Sequence, residues 1–433
     1  MNTTAKKADH LCVLVHGLWG VPEHLKYVSD TLSERFPQDK VHVLVTKRNA
    51  GTFTYDGVNT GGERVAEEVE DALEQLADSG HDITKISIVG YSLGGLIARY
   101  AIGLLYHRGV FEKIQPVNFT TFATPHLGVR TPLKGYPSHL WNVLAGRTLS
   151  LSGRQLFCVD QFKDTGRPLL AVLADPESIF IRALAQFKHR SLYANIRGDR
   201  SVTYYTAAIS RTDPYVELDS FKINYISGYE EVIVDSDNPV SPKEPEEPPA
   251  FVQRFAQGTR TILGRASMVA VLSVFIPIGV SAFLIHSAVQ SIRSHQRIQL
   301  HEQGKSGIDY ARYRIPLMIQ AVEHANHAQG QEYLSDASTD VESNAQSVQK
   351  ASSSGTSSIQ ERKQGLALEF PTLALTDDQF KMIEALDSVG FKKNPVYIHK
   401  HRHSHAAIIV RTDKSSFDEG RVVVKHWLDN FEV

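Results

Sequence analysis

The chain has 433 residues, with 46 Lys and Arg against 48 Asp and Glu and a formal net charge of −2. That length predicts two to three units, or one large α/β domain with insertions, and the charge balance excludes the basic footprint of a nucleic-acid binder. Cys12 and Cys158 cannot form a disulfide framework, and the N-terminal MNTTAKKADH lacks the apolar core of a signal peptide. A reducing, cytosol-facing protein is therefore expected.

Strand and helix signals alternate through the first 125 residues. Leu11–Val15, Val41–Val45 and Ile86–Val89 are short β-rich runs. Between them Leu25, Val28, Leu32 and Phe36 recur at helical spacing, as do Val65, Val69, Leu73 and Leu76. A helix through Leu96, Ala98, Ala101 and Leu105 leads to a strand at Asn118–Ala123. This rhythm predicts parallel βαβ units in an α/β fold with helices on both faces of the sheet.

Residues 128–190 break the alternation and read as a helical cap or lid over a core spanning 1–235. Strands are expected again at Leu192–Ile196 and Tyr204–Ile209. Residues 236–253 contain SDNPVSPKEPEEPPA, a Pro- and Glu-rich linker. The next segment, 254–300, holds ASMVAVLSVFIPIGVSAFLI (266–285), which has no charged residue between Arg265 and Arg293. About 20 apolar residues suffice for a helix to cross a bilayer. Residues 328–364 are Ser-, Gln- and Asp-rich and are expected to be disordered. Residues 365–433 complete the core, with a helix in TDDQFKMIEALDSVG capped by Thr376 or Asp377, a strand at Val396–Ile398, and a last helix carrying Val423, Val424, Trp427 and Leu428.

IVGYSLGGLIARY carries the chemistry. Gly90-Tyr91-Ser92-Leu93-Gly94 matches G-x-S-x-G directly after a strand and at the opening of a helix, the setting of a nucleophile elbow. Small residues allow the sharp turn that lifts the Ser92 hydroxyl above the sheet edge. The Leu93 N–H then faces the oxygen under attack. Upstream, VLVHGLWG sets His16-Gly17 just after the first strand. In α/β-hydrolases such a loop supplies the second oxyanion donor, here the N–H of Leu18.

A serine nucleophile needs a base, and the base an orienting acid, in the chain order Ser, Asp or Glu, His. Asp199 follows Gly198 at the end of a strand, and Asp213 competes as a turn residue before proline. The base lies in VYIHKHRHSHAAIIVR, where His399, His401, His403 and His405 alternate. In an extended strand all four would share one face, which raises a metal site. With no Asp, Glu or Cys beside them in sequence, catalysis is the preferred reading. His16 and His126 are read as structural.

Taken together, GYSLGGLIARY, TFATPHLGV, GRQLF, GDR followed by TYYTAAI, and the late HAAIIVR resemble the putative serine esterase family of lipase-like α/β-hydrolases. The likeness is nearest to a fungal branch that includes a lipid-droplet phospholipase, and it covers about 10–230 and 366–431. It implies Ser92 as nucleophile, Asp199 as acid and His405 as base, with His403 the less favoured base. It also implies acylglycerol or phospholipid substrates and no cofactor. It does not account for the insertion at 240–365. A sterol-ester or thioester hydrolase, an acyltransferase and a non-catalytic lipid-surface scaffold are the alternatives.

The triad constrains the apolar run. Ser92 and Asp199 precede it and His405 follows it, so a single crossing would separate them. Arg254, Arg260 and Arg265 before it and Arg293 and Arg297 after it give no direction preference. Pro277-Ile278-Gly279 can break a helix in its middle. The expectation is a monotopic anchor across about 266–290, a hairpin or kinked interfacial helix on a lipid droplet or intracellular membrane, with a buried lid helix as the alternative.

Overall fold

A computed structural model of the chain describes residues 8–37, 39–129, 150–243, 288–306 and 370–433. The apolar run 266–285, the Ser- and Gln-rich stretch 328–364, and parts of the expected lid and linker lie outside the described residues. Among the described residues no helix is long and apolar enough to cross a membrane.

Six strands form the central sheet: β1 (His10–Val15), β2 (Val41–Val45), β3 (Lys85–Tyr91), β4 (Gln115–Phe122), β5 (His189–Asn195) and, after a two-stranded ribbon of β6 (Phe221–Ile223) and β7 (Val240–Pro242), β8 (Lys392–Val396). Their order is β2-β1-β3-β4-β5-β8, and every pair is parallel. A parallel sheet is covered on both faces, so its strands read as nearly unbroken apolar runs. HLCVLV is buried throughout.

Alternation along β1 assigns the two faces. Leu11, Val13 and Val15 join a core with α2 (Val58–Asp78), α3 (Leu93–His107) and the helices Ile179–Gln186 and Asp377–Ser388. Cys12 and Leu14 point the other way, to Val28 and Leu32 of α1 (Lys26–Arg35) and to Val423, Val424 and Trp427 of the last helix, Asp418–Asp429. The result is a three-layer α/β architecture. Burial pushes the Cys12 thiol far above its usual range, so it is a core side chain rather than a reactive one.

Two expectations are corrected. Tyr204–Ile209 is no strand: Tyr204–Ala207 forms a helical turn, and Tyr205, Ala207, Ala208 and Ile209 are all buried. An isolated strand could not bury consecutive residues against one core, so packing overrides β-propensity here. The last strand is Lys392–Val396 rather than Val396–Ile398; beyond it, Tyr397 donates its N–H to Val232 O (2.8 Å) and leaves the sheet. Helix Ile179–Gln186, inside the segment read as the lid, packs on α3, with Phe180 so close to Gly103 that a Cβ there would meet its ring at 2.3 Å. The alternating histidines share no strand face, since Ser404–Ala407 is a one-turn helix.

Candidate active site

Ser92 sits between β3 and α3 with φ 55° and ψ −128°. This is a region that L-residues avoid, and the surrounding glycines hold it there. A Cβ on Gly90 would meet Gly95 Cα at 2.3 Å, and one on Gly94 would meet the Val15 and His16 carbonyl oxygens at 2.2 and 2.5 Å. Strand and helix therefore approach backbone to backbone. Leu93 opens α3, so its N–H belongs to a first turn with no carbonyl one turn back, at the positive end of the helix dipole.

The loop after β1 lies directly against this elbow. A Cβ on Gly17 would meet Ser92 Cβ at 2.7 Å and Ser92 Oγ at 3.3 Å, which brings the segment carrying Leu18 to the nucleophile. Burial lowers the pKa of His16 below its ordinary value, and its Nδ1 lies 3.2 Å from Gly17 O. A neutral ring buttressing the loop fits those contacts. His126 is likewise held well below the usual range by burial and by Arg99 nearby, with Nε2 3.0 Å from Thr121 Oγ1.

Ser92 Oγ lies 2.9 Å from His405 Nε2, and His405 Nδ1 lies 2.8 Å from Asp199 Oδ2. The Asp199 side chain is almost wholly buried and accepts three further hydrogen bonds. Oδ1 takes the N–H groups of Ser201 (2.9 Å) and Val202 (2.8 Å), and Oδ2 takes the Asn195 amide (3.0 Å). A carboxylate so held is fixed in rotamer, which pins the imidazole tautomer that leaves Nε2 free to accept from serine. The Asp199 turn depends on Gly198, whose φ is +80°.

The other candidates fall elsewhere. Asp213 accepts the Tyr215 N–H (3.0 Å) in a turn of its own. The His403 N–H donates to His401 Nδ1 (3.1 Å), and the His401 ring packs against Phe417 at 4.6 Å. His399 pairs with Glu419 (2.8 Å), a carboxylate twenty residues on that the sequence did not place beside the histidines. The four histidines thus serve different partners. Among the described residues, no group of three or more His, Cys, Asp or Glu is arranged to hold a metal ion.

Three supporting residues went unnoticed in the sequence. Tyr91, the variable residue of the elbow, donates its hydroxyl to His405 O (2.9 Å). Burial raises its pKa, so it stays a donor at neutral pH. Ser404 Oγ donates to Arg197 O (3.1 Å), tying the base turn to the acid turn. Asn195 completes the Asp199 shell. No motif specifies any of these three side chains, and the partners of Tyr91 and Ser404 lie more than 200 residues away.

This fold, with serine at a strained strand-to-helix turn and a histidine–aspartate pair on later sheet edges, defines an α/β-hydrolase. Residues 5–212 match the family described as "Putative serine esterase (DUF676)". "Putative lipase ROG1" of Saccharomyces cerevisiae is 34% identical over 248 residues, covering 55% of this chain and 34% of the relative. "Putative lipase C4A8.10" of Schizosaccharomyces pombe is 32% identical over 210 residues, covering 47% and 26%. The match therefore spans about a third or less of these relatives' own length. Among solved structures, Est1E of Butyrivibrio proteoclasticus with ferulic acid bound shares 19% identity over 47% of this chain and 74% of its own, at a TM-score of 0.28. That superposition is too loose to add to the strand order.

Proposed function

We propose that the chain is a serine esterase acting on acyl esters of phospholipid or acylglycerol, with Ser92 as nucleophile, His405 as base and Asp199 as orienting acid. The unbroken Ser92–His405–Asp199 relay on a strained elbow carries this reading. In the proposed cycle His405 Nε2 takes the Ser92 proton as Oγ attacks the ester carbonyl. The tetrahedral oxyanion is held by the N–H groups of Leu18 and Leu93. The C–O bond to the alcohol breaks, and His405 returns its proton to the leaving oxygen. Water, deprotonated by the same nitrogen, then cleaves the acyl-enzyme and releases the fatty acid. Asp199 stabilises the imidazolium without taking its proton.

The lipid assignment is supported by the apolar run at 266–285 and its basic flanks. Residues before and after that run share one sheet, through β5 and β8, which supports an anchor that enters and leaves the same leaflet over a single crossing. On this reading the enzyme works from the cytosolic side of a lipid droplet or intracellular membrane. Purified wild type and Ser92→Ala, each offered mixed phospholipids and triacylglycerol, test the substrate class by lipidomics of the released products. Free fatty acid from one of these classes, in wild type only, is expected. No fatty acid released from either class by wild type, or equal release by Ser92→Ala, would refute the assignment.

A further inference from the structure

The helix over 288–302 is built inside out. Its inward positions are Gln290, Ser294, Arg297, Ile298 and His301, four of them polar, while Val289, Ile292 and Leu300 are exposed. The hydrophobic effect does not explain why this face is buried. What fixes it is one carboxylate. Asp56, with no exposed surface, receives Ser294 Oγ at 2.7 Å and the Arg297 guanidinium through Nε (2.9 Å to Oδ2) and Nη2 (2.6 Å to Oδ1). Arg64 Nη2 reaches the same carboxylate at 2.8 Å. Further along, His301 Nε2 lies 2.5 Å from buried Glu63. Both guanidinium groups lie over the Phe53 ring, Arg64 at 5.0 Å and Arg297 at 5.1 Å from its centroid.

Asp56 ends the short 3-10 turn Gly51–Tyr55, and this turn holds the loop after β1. Gly51 N–H donates to Gly20 O (2.7 Å), Trp19 N–H to Thr54 Oγ1 (3.1 Å), and Trp19 Nε1–H to Tyr55 OH (2.5 Å). Arg297 itself donates to Thr52 O (3.0 Å). Trp19 has a positive φ of 54°, which a residue with a large side chain keeps only when its neighbours impose it. Leu18, the donor invoked for the oxyanion, sits between Trp19 and the Gly17 that touches Ser92. A continuous set of contacts thus runs from Arg297 to the reacting centre.

We propose that Arg297 and Asp56 are positioning residues for the oxyanion hole, and that helix 288–302 sets the Leu18 N–H against Ser92 from the far side of the Gly51–Tyr55 turn. This rests on the esterase reading above and adds to it a requirement for a segment some 200 residues downstream of the nucleophile. Misplacing a preorganised donor by about 1 Å costs up to about a hundredfold in rate, and the loss falls on the transition state rather than on substrate binding.

The test uses the full chain, as wild type, Arg297→Ala and Arg297→Lys, with a short soluble nitrophenyl ester and an alkyl boronic acid that forms a tetrahedral adduct on serine. Hydrogen exchange of residues 16–20 is read in parallel and needs no turnover. In Arg297→Ala, kcat should fall about ten- to a hundredfold with KM nearly unchanged. Boronate affinity should fall in step and exchange at 16–20 should quicken, with partial recovery in Arg297→Lys. A lowered melting temperature with kcat, boronate affinity and loop exchange all as in wild type would reduce the network to structural support and overturn the proposal. If Arg297→Ala does not fold, Ser294→Ala removes one contact to Asp56 without stranding the charge, and the same comparison decides. A wild type that turns over no ester but whose loop exchange still responds would fail the esterase reading and leave the contact path standing.

Discussion

At the scale of single residues, the site combines one strained backbone position with one fully satisfied carboxylate. Asp199→Asn keeps the shape but can present an amide N–H to His405 Nδ1, which favours the wrong tautomer. A fall in kcat of about 10⁴ at neutral pH is predicted, from the size of this effect in serine proteases, with little change in melting temperature. Steady-state kinetics beside a thermal melt check it, and a loss under tenfold would exclude Asp199 as the acid. The competing base is separable in the same way. His403→Gln should retain activity within about threefold, whereas His405→Gln should lose it by several orders of magnitude. Ser92 and its glycines were legible in the sequence because strand, turn and helix signals fall within thirteen consecutive residues. Asp199 was legible as one of two candidates, at a strand end beside Gly198, and the family resemblance favoured it over Asp213. The roles of Tyr91, Ser404 and Asn195 were not, because a tyrosine in the variable position of the elbow gives no sign of the distant carbonyl it will meet.

At the scale of elements, two close approaches define the reaction centre: β1 against the start of α3, and the β1 loop against Ser92. A methyl group on Gly17 would press on Ser92 Cβ at 2.7 Å. Gly17→Ala is therefore expected to displace the Leu18 segment and lower kcat by about a hundredfold while the protein stays folded. Unchanged kcat would show that this loop does not contribute. The histidine-rich segment shows where sequence patterns mislead. Period-two alternation ordinarily signals a strand, but here Glu419, Phe417 and the Asp199–Ser92 pair each capture a different histidine, and the backbone turns to satisfy them. Tyr204–Ala207 was misread for a related reason, since β-rich residues at a site that buries consecutive side chains form a helical turn. The Asp56–Arg297 contact was beyond sequence reading, because nothing local marks which arginine a carboxylate will meet after a long insertion.

At the scale of the molecule, the C-terminal segment completes both the sheet and the site. Trp427 packs its indole on Phe122 at 5.8 Å and donates to Thr120 Oγ1 (3.2 Å), joining the last helix to β4. Trp427→Ala should cost about 3–5 kcal/mol, read as a lower melting temperature or loss of soluble protein. Stability should also fall in acid. Burial pushes His10 and His426 down to about 4 from an ordinary 6.5. The unfolded chain then binds protons that the folded chain refuses, so stability is complete above pH 6.5 and is lost as pH falls from there toward 4. His10 alone would account for about 3 kcal/mol across that window. A melting temperature at pH 5 equal to that at pH 7.5 would contradict this. Deleting 266–285 should release the protein from membranes while soluble-ester hydrolysis persists, and continued membrane binding would refute the anchor.

The central claim is that Ser92 is the nucleophile of an esterase whose acid and base come from both sides of a long insertion. Fluorophosphonate labelling of the full chain, followed by peptide mass mapping, tests it most directly. The account predicts stoichiometric modification of Ser92 in wild type, at a rate strongly reduced in His405→Gln, with no labelling or ester hydrolysis in Ser92→Ala. Label on another residue, or undiminished hydrolysis by Ser92→Ala, would contradict it.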